Sequence, residues 1–160
     1  MGQDRVVEPE RAPRLPPRWF TRAAWAMHRG LYSLSRGRIG LKGAADGHTG
    51  VLRLKTTGRR SGDERRAMLG YLQDGPKMVL VAMNGWADPE PAWLLNLIAL
   101  PRARVDVIDG ERRVAARIAD PEERARLWAR LNGPSRSLDR YAQLRSRETA
   151  IVILEPRTKA

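Results

Sequence analysis

The stretch with the densest chemistry is Thr56-Thr57-Gly58-Arg59-Arg60-Ser61-Gly62-Asp63-Glu64-Arg65-Arg66. Its glycines let backbone N–H groups turn toward a ligand, and its guanidiniums offer paired donors to a phosphate or a carboxylate. Such a stretch is either an anion cradle or a polar, solvated turn between two strands. It is not a Walker-type phosphate loop, because the Gly-x-x-x-x-Gly-Lys-Ser/Thr spacing is missing and no helix pattern follows. A second cluster, Met83-Asn84-Gly85-Trp86 and Pro91-Ala92-Trp93-Leu94-Leu95-Asn96-Leu97, sets tryptophans and asparagines around a strand-to-helix connection. Apolar walls with a few orienting polar groups suit a flat heteroaromatic ligand, although Trp93 also reads as a plain core residue. Asn96 is a poor helix former inside a helical pattern, so it calls for either a specific hydrogen-bond partner or an exposed position.

Other chemistries are excluded by composition. The chain has no cysteine, which removes disulfides, thiolate metal sites and cysteine nucleophiles. His28 and His48 have no clustered partners, so no metal site is expected. Lys and Arg number 30 against 18 Asp and Glu, a formal charge of +12 that must attract anions. Nucleic acid is a poor fit, because the basic stretches lack interleaved aromatics and a recognition-helix pattern.

The elements that position these residues follow from periodicity. Residues 1–17 carry Pro9, Pro13, Pro16 and Pro17 among charges and read as a disordered tail. From Trp19, the residues Phe20, Ala23, Ala24, Met27, Leu31 and Leu34 recur at helical spacing with Arg18, Arg22, His28 and Arg29 off the stripe. This basic helix either packs over the rest of the fold or a partner subunit, or touches an anionic membrane surface through Trp19, Phe20 and Trp25. Strands are expected over 51–56, 65–72 and 78–83, and a helix from Pro91 to Leu100. A hairpin of 104–108 and 112–118 should turn at Asp109-Gly110. Asp120 then caps a helix with Pro121 in its first turn and Leu127 and Leu131 on one face. A shorter helix over 137–145 and the strand Ile151-Val152-Ile153-Leu154 complete the pattern. About six strands with short links predict one α+β domain over 18–160, built on a small antiparallel barrel. With no apolar run of about 18 residues and no signal-peptide pattern, the chain reads as cytoplasmic, with the inner face of the membrane as the surface its basic helix would touch.

The order and spacing of these motifs resemble those of the deazaflavin-dependent nitroreductase family. The likeness runs through the 56–62 turn, Arg65, Asn84-Gly85, Pro91 to Leu97, Pro101, Glu123-Arg124-Ala125-Arg126-Leu127-Trp128 and Ile151 to Pro156. It covers about residues 19–156. The resemblance implies a split β-barrel of mostly antiparallel strands with flanking helices, binding the cofactor F420 (8-hydroxy-5-deazaflavin). Carried over position by position, Arg59, Arg60, Ser61, Arg65 and Arg66 would hold the cofactor's phosphate and oligoglutamate tail. Ala67, Met68, Val81, Ala82, Met83 and Asn84 would meet the ring and ribityl region, and Ala92, Trp93, Leu94, Leu95 and Asn96 would close the pocket. The implied activity is hydride transfer to an electron-poor acceptor such as a quinone, enone or nitroaromatic. The alternative is a non-catalytic binder of F420, a fatty acid or another apolar ligand on the same fold. Relatives often have proline where this chain has Met68, and lysine or serine where it has Met83-Asn84. The nitroimidazole-reducing member carries several tyrosines before the last strand, whereas here Tyr141 stands alone, either as proton donor or as a packing residue. A homodimer is implied only by analogy among split barrels.

Overall fold

The computed structural model describes residues 40–44, 49–86, 88–132 and 138–157. The expected tail over 1–17 and the basic helix from Trp19 lie outside the described residues, and with them the expected membrane contact. Six strands form a closed barrel in the order β1-β2-β3-β6-β5-β4, and every pairing is antiparallel. They are β1 (Thr49–Thr57), β2 (Glu64–Asp74), β3 (Lys77–Val81), β4 (Arg102–Val107), β5 (Gly110–Ile118) and β6 (Ile151–Pro156). Between them lie α1 (Ala92–Ala99), α2 (Pro121–Leu131) and α3 (Leu138–Ala142), with one 3-10 turn at Asn84–Trp86. Among the described residues no helix is long and apolar enough to cross a membrane.

The barrel forms because its strands alternate. Along β1, Leu52, Leu54 and Thr56 are buried while Arg53, Lys55 and Thr57 stand on the outer face. The interior is filled by Leu52, Leu54, Tyr71, Met78, Leu80, Val105, Val114, Val152 and Leu154, and Leu94 and Leu97 of α1 join this cluster. Strands β3 and β6 depart from alternation. Their outward residues Val79, Ile151 and Ile153 pack with Leu127 and Leu131 of α2, so both faces of these strands are covered. A run of consecutive apolar residues is what such burial demands. The ring of Tyr71 lies so close to Gly50 that a Cβ there would sit 2.4 Å from its Cε1, which reserves that position for glycine.

The connections differ in detail from expectation. Val107 pairs with Gly110, so the hairpin turns at Ile108-Asp109 and Gly110 opens β5. Its φ of 125° explains the shift, because glycine tolerates that conformation inside the ladder. The third strand ends at Val81, leaving Met83 in the connection. The short helix spans Leu138–Ala142 and ends before the expected Arg145. The helix over Pro121–Leu131 starts as predicted: Asp120 accepts from the Glu123 amide at 2.8 Å, and the Glu123 carboxylate accepts from the Asp120 amide at 3.3 Å.

Candidate functional site

The basic turn is built by its own backbone. Gly58 N–H donates to Asp63 O at 2.7 Å and Gly62 N–H to Gly58 O at 2.8 Å, with Gly62 at φ 74°. That leaves Arg59, Arg60 and Ser61 exposed at the tip. Ser61 Oγ accepts from Arg65 Nη2 at 3.1 Å, and the same guanidinium meets Asp63 at 3.3 Å. A tether then fixes the turn against α1. Asn96 is buried at 4% exposure, its Nδ2 donates to Thr56 Oγ1 at 3.1 Å, and its Oδ1 accepts from the Arg59 amide at 3.2 Å and from Arg59 Nη1 at 3.4 Å. The asparagine in the helix therefore has the specific partners its residue type calls for, and they belong to the turn.

The β3–α1 connection is held as firmly from another side. Asn84 takes a left-handed φ of 42°, a conformation asparagine tolerates, and its Nδ2 donates to Pro89 O at 2.6 Å. The Arg145 side chain is fully buried. Its Nη1 donates to Ala82 O at 2.7 Å and to Thr149 Oγ1 at 3.2 Å, while Nη2 reaches Glu90 at 2.8 Å. Next to it, Ser146 donates to Asp88 from its amide at 3.2 Å and from its hydroxyl at 2.6 Å. Both ends of the connection are thus clamped to the segment that precedes β6.

The predicted residues divide over these elements. Register places Arg65 beside Thr56 and Ala67 beside Leu54, on the inward side of the sheet. Arg66 and Met68 project to the other face, opposite Lys55 and Arg53. Arg66 is therefore separated from Arg59 and Arg65, and it pairs with Glu64 at 2.6 Å. Ala82 is buried, Val81 and Met83 are half-buried, and Asn84 is exposed. On α1, Leu94 is buried, Trp93 and Leu95 are half-buried, and Ala92 faces solvent. Trp93 packs against the barrel core. Tyr141 is half-buried on α3, and Leu144 N–H donates to its carbonyl at 3.1 Å.

A family model described as F420H(2)-dependent quinone reductase matches residues 26–156. The chain belongs to that family. An F420H(2)-dependent quinone reductase of Mycobacterium tuberculosis (strain ATCC 25618 / H37Rv) is 32% identical over 123 residues, 76% of this chain and 80% of the relative. A solved F420-H2 dependent reductase, FDR-A, aligns with a TM-score of 0.59 at 26% identity, covering 66% of this chain and 93% of that one. A structure described as a domain-swapped dimer aligns with a TM-score of 0.63 at 23% identity, over 84% of this chain and 99% of that one. The last shows the shared split-barrel fold. The resemblance read from the motifs is met at the level of an F420-dependent reductase family.

Within the F420H(2)-dependent quinone reductase family frame, the donor chemistry of the turn fits an anionic cofactor. Arg59, Arg60 and Arg65 are exposed cations at one tip, backed by Gly58 and Gly62. No group of acidic or histidine residues that could hold a metal occurs among the described residues. Sequence reasoning missed two features. Arg145 carried no local signal, because Asp88 and Glu90 lie more than fifty residues before it. The alignment of Arg66, Lys55, Arg104 and Arg113 across four strands emerges only from register.

Proposed function

We propose that this chain is an F420H2-dependent reductase that transfers hydride to a quinone or a comparable electron-poor acceptor, an enone or a nitroaromatic. The observation that carries the reading is the Asn96 tether, which joins the arginine turn to the helix bordering the second cluster. Arg59, Arg60 and Arg65 hold the anionic tail through charge-assisted hydrogen bonds, with Ser61 orienting Arg65. Ala67, Ala82, Met83 and Asn84 border the ring, and Trp93 and Leu95 limit access of water from the helix side. When bound, reduced F420 supplies the hydride from its C5 carbon, so the protein's share is orientation and exclusion of solvent. A quinone takes up that hydride and one proton to become the hydroquinone. The proton comes from solvent or from the Tyr141 hydroxyl, and Tyr141→Phe distinguishes them: unchanged kcat assigns it to solvent.

The test is to mix the purified protein with reduced F420, FMN and NADPH separately, and to follow binding and oxidation against a panel of quinones and enones. Binding of reduced F420 with quinone-dependent oxidation is expected, and Arg60→Ala should weaken F420 affinity about tenfold while leaving the hydride step unchanged. Binding of FMN alone would overturn the cofactor assignment, and F420 binding without turnover would make the chain a carrier.

A further inference from the structure

A fully buried guanidinium is a poor space-filler. The Arg145 side chain has no exposed surface, and its Nε has no hydrogen-bond partner among the described residues, Asp88 Oδ1 lying 3.8 Å away. An apolar side chain of similar volume often serves stability as well or better in such a place. What it cannot do is hold several segments at once, as the planar fork of an arginine does.

Three segments meet on the Arg145 side chain. Nη1 donates to Ala82 O at 2.7 Å, where the chain leaves β3, and to Thr149 Oγ1 at 3.2 Å, where it approaches β6. Nη2 donates to Glu90 at 2.8 Å, next to Pro91, whose carbonyl accepts from the Leu94 and Leu95 amides and so starts α1. Ala82 is also held from its other side, since its amide donates to Ala150 O at 2.9 Å. A fourth link runs through the backbone. The Arg145 amide donates to Ala142 O and the Leu144 amide to Tyr141 O, each at 3.1 Å, so the residue that grips the connection also closes the last turn of α3. The other end of α3 is held to α2, where Asp139 accepts from Trp128 Nε1 at 2.6 Å. The end with Tyr141 depends on Arg145.

We propose that Arg145 is a positioning residue for the reduction: it fixes the end of α3 that carries Tyr141 against the 82–90 connection, and so sets where the acceptor stands relative to the cofactor ring. It acts through the segments it joins rather than on the reacting atoms. The inference rests on the F420 reading, in which Ala82, Met83 and Asn84 border the ring, and it deepens that reading. Hydride transfer needs its two reacting atoms about 3–3.5 Å apart and aligned, and a displacement of about 1 Å can cost about a hundredfold in rate. The same reading puts the anionic tail on the turn that Asn96 anchors, away from this clamp. Cofactor affinity and acceptor placement therefore separate.

The experiment uses Arg145→Lys, which keeps the charge and loses the fork. Three quantities are measured: hydrogen exchange of the ligand-free protein, equilibrium binding of F420 by deazaflavin fluorescence, and single-turnover oxidation of reduced F420 by a saturating soluble quinone. Exchange should rise in 82–90 and in 138–144 together, the Kd for F420 should stay within about twofold, and the hydride step should slow about tenfold or more. An unchanged hydride step in the folded variant makes the clamp a matter of stability alone and overturns the proposal. Exchange that rises in only one of the two segments overturns it too, as does a slowed step matched by an equal loss of F420 affinity. If Arg145→Lys does not fold, Ser146→Ala takes its place. Ser146 is exposed and donates to Asp88 on the outer side of the clamp, so its loss should slow the same step about threefold, and an unchanged rate overturns the proposal. Wild-type protein that neither binds nor oxidises reduced F420 overturns the F420 reading and the positioning role with it, an outcome distinct from any difference between wild type and variant.

Discussion

Asn96 commits both ends of its amide to one task, joining Thr56 at the end of β1 to Arg59 in the turn across the top of α1. Replacing it with alanine leaves a buried hydroxyl and a backbone amide without their partner, which costs about 1–3 kcal/mol. Asn96→Ala should therefore lower the urea midpoint and, because Arg59 loses its anchor, raise the Kd for F420 as well. A variant that lost stability but bound F420 with unchanged affinity would show that the tether serves the fold alone. Its residue type announced a hydrogen-bonding role in the sequence. Its partners were not announced, since they lie 40 and 37 residues away.

Elements were legible where their signals are local. The Pro121–Leu131 helix was visible through its Asp120 cap, its proline and its Leu127/Leu131 face, which are neighbours in sequence, while the capping box with Glu123 was added by the structure. Its Glu123 also holds Arg117 of β5, with contacts at 2.5 and 2.7 Å. The Arg117 guanidinium keeps the Glu123 carboxyl at about 2, against 4.5 for a free glutamate. A folded-state value below the unfolded one contributes stability that is complete above the unfolded value and fades as pH falls toward the folded one. Acid unfolding should thus steepen between 4.5 and about 2, and Glu123→Gln should flatten that part of a pH series of denaturant midpoints. The β3–α1 connection was legible in composition but not in shape, because Arg145, Asp88 and Glu90 meet only in the fold. Removing one member of a buried ion pair costs about 3–5 kcal/mol. Arg145→Lys keeps the charge but cannot reach Ala82 O and Glu90 together. It should lose a smaller part of that energy, and deuterium exchange across 82–91 should rise more than in the barrel strands.

At the scale of the molecule, a charge of +12 was plain in the composition, and its arrangement was not. Lys55 stands on the outer face of β1, and which cations stand beside it depends on a register that no single strand encodes. A field of this sign should steer anionic ligands into contact, so the association rate for F420 should fall about tenfold from low to physiological salt in stopped-flow, with a smaller change in dissociation. A salt-independent association rate would mean that the positive surface is neutralised internally.

The place of β6 between β3 and β5 has a consequence for how the protein is made. It is the last of the six strands to leave the ribosome, yet without it the barrel has two open edges. Until Ile151 to Leu154 emerge, β3 presents unpaired backbone beside Met78, Val79 and Leu80, the kind of sticky edge that recruits other chains. A nascent chain stalled before this strand is therefore the aggregation-prone species. Its protection falls to chaperones and to the pace of translation, and release of the final strand is the event that seals the protein against its neighbours.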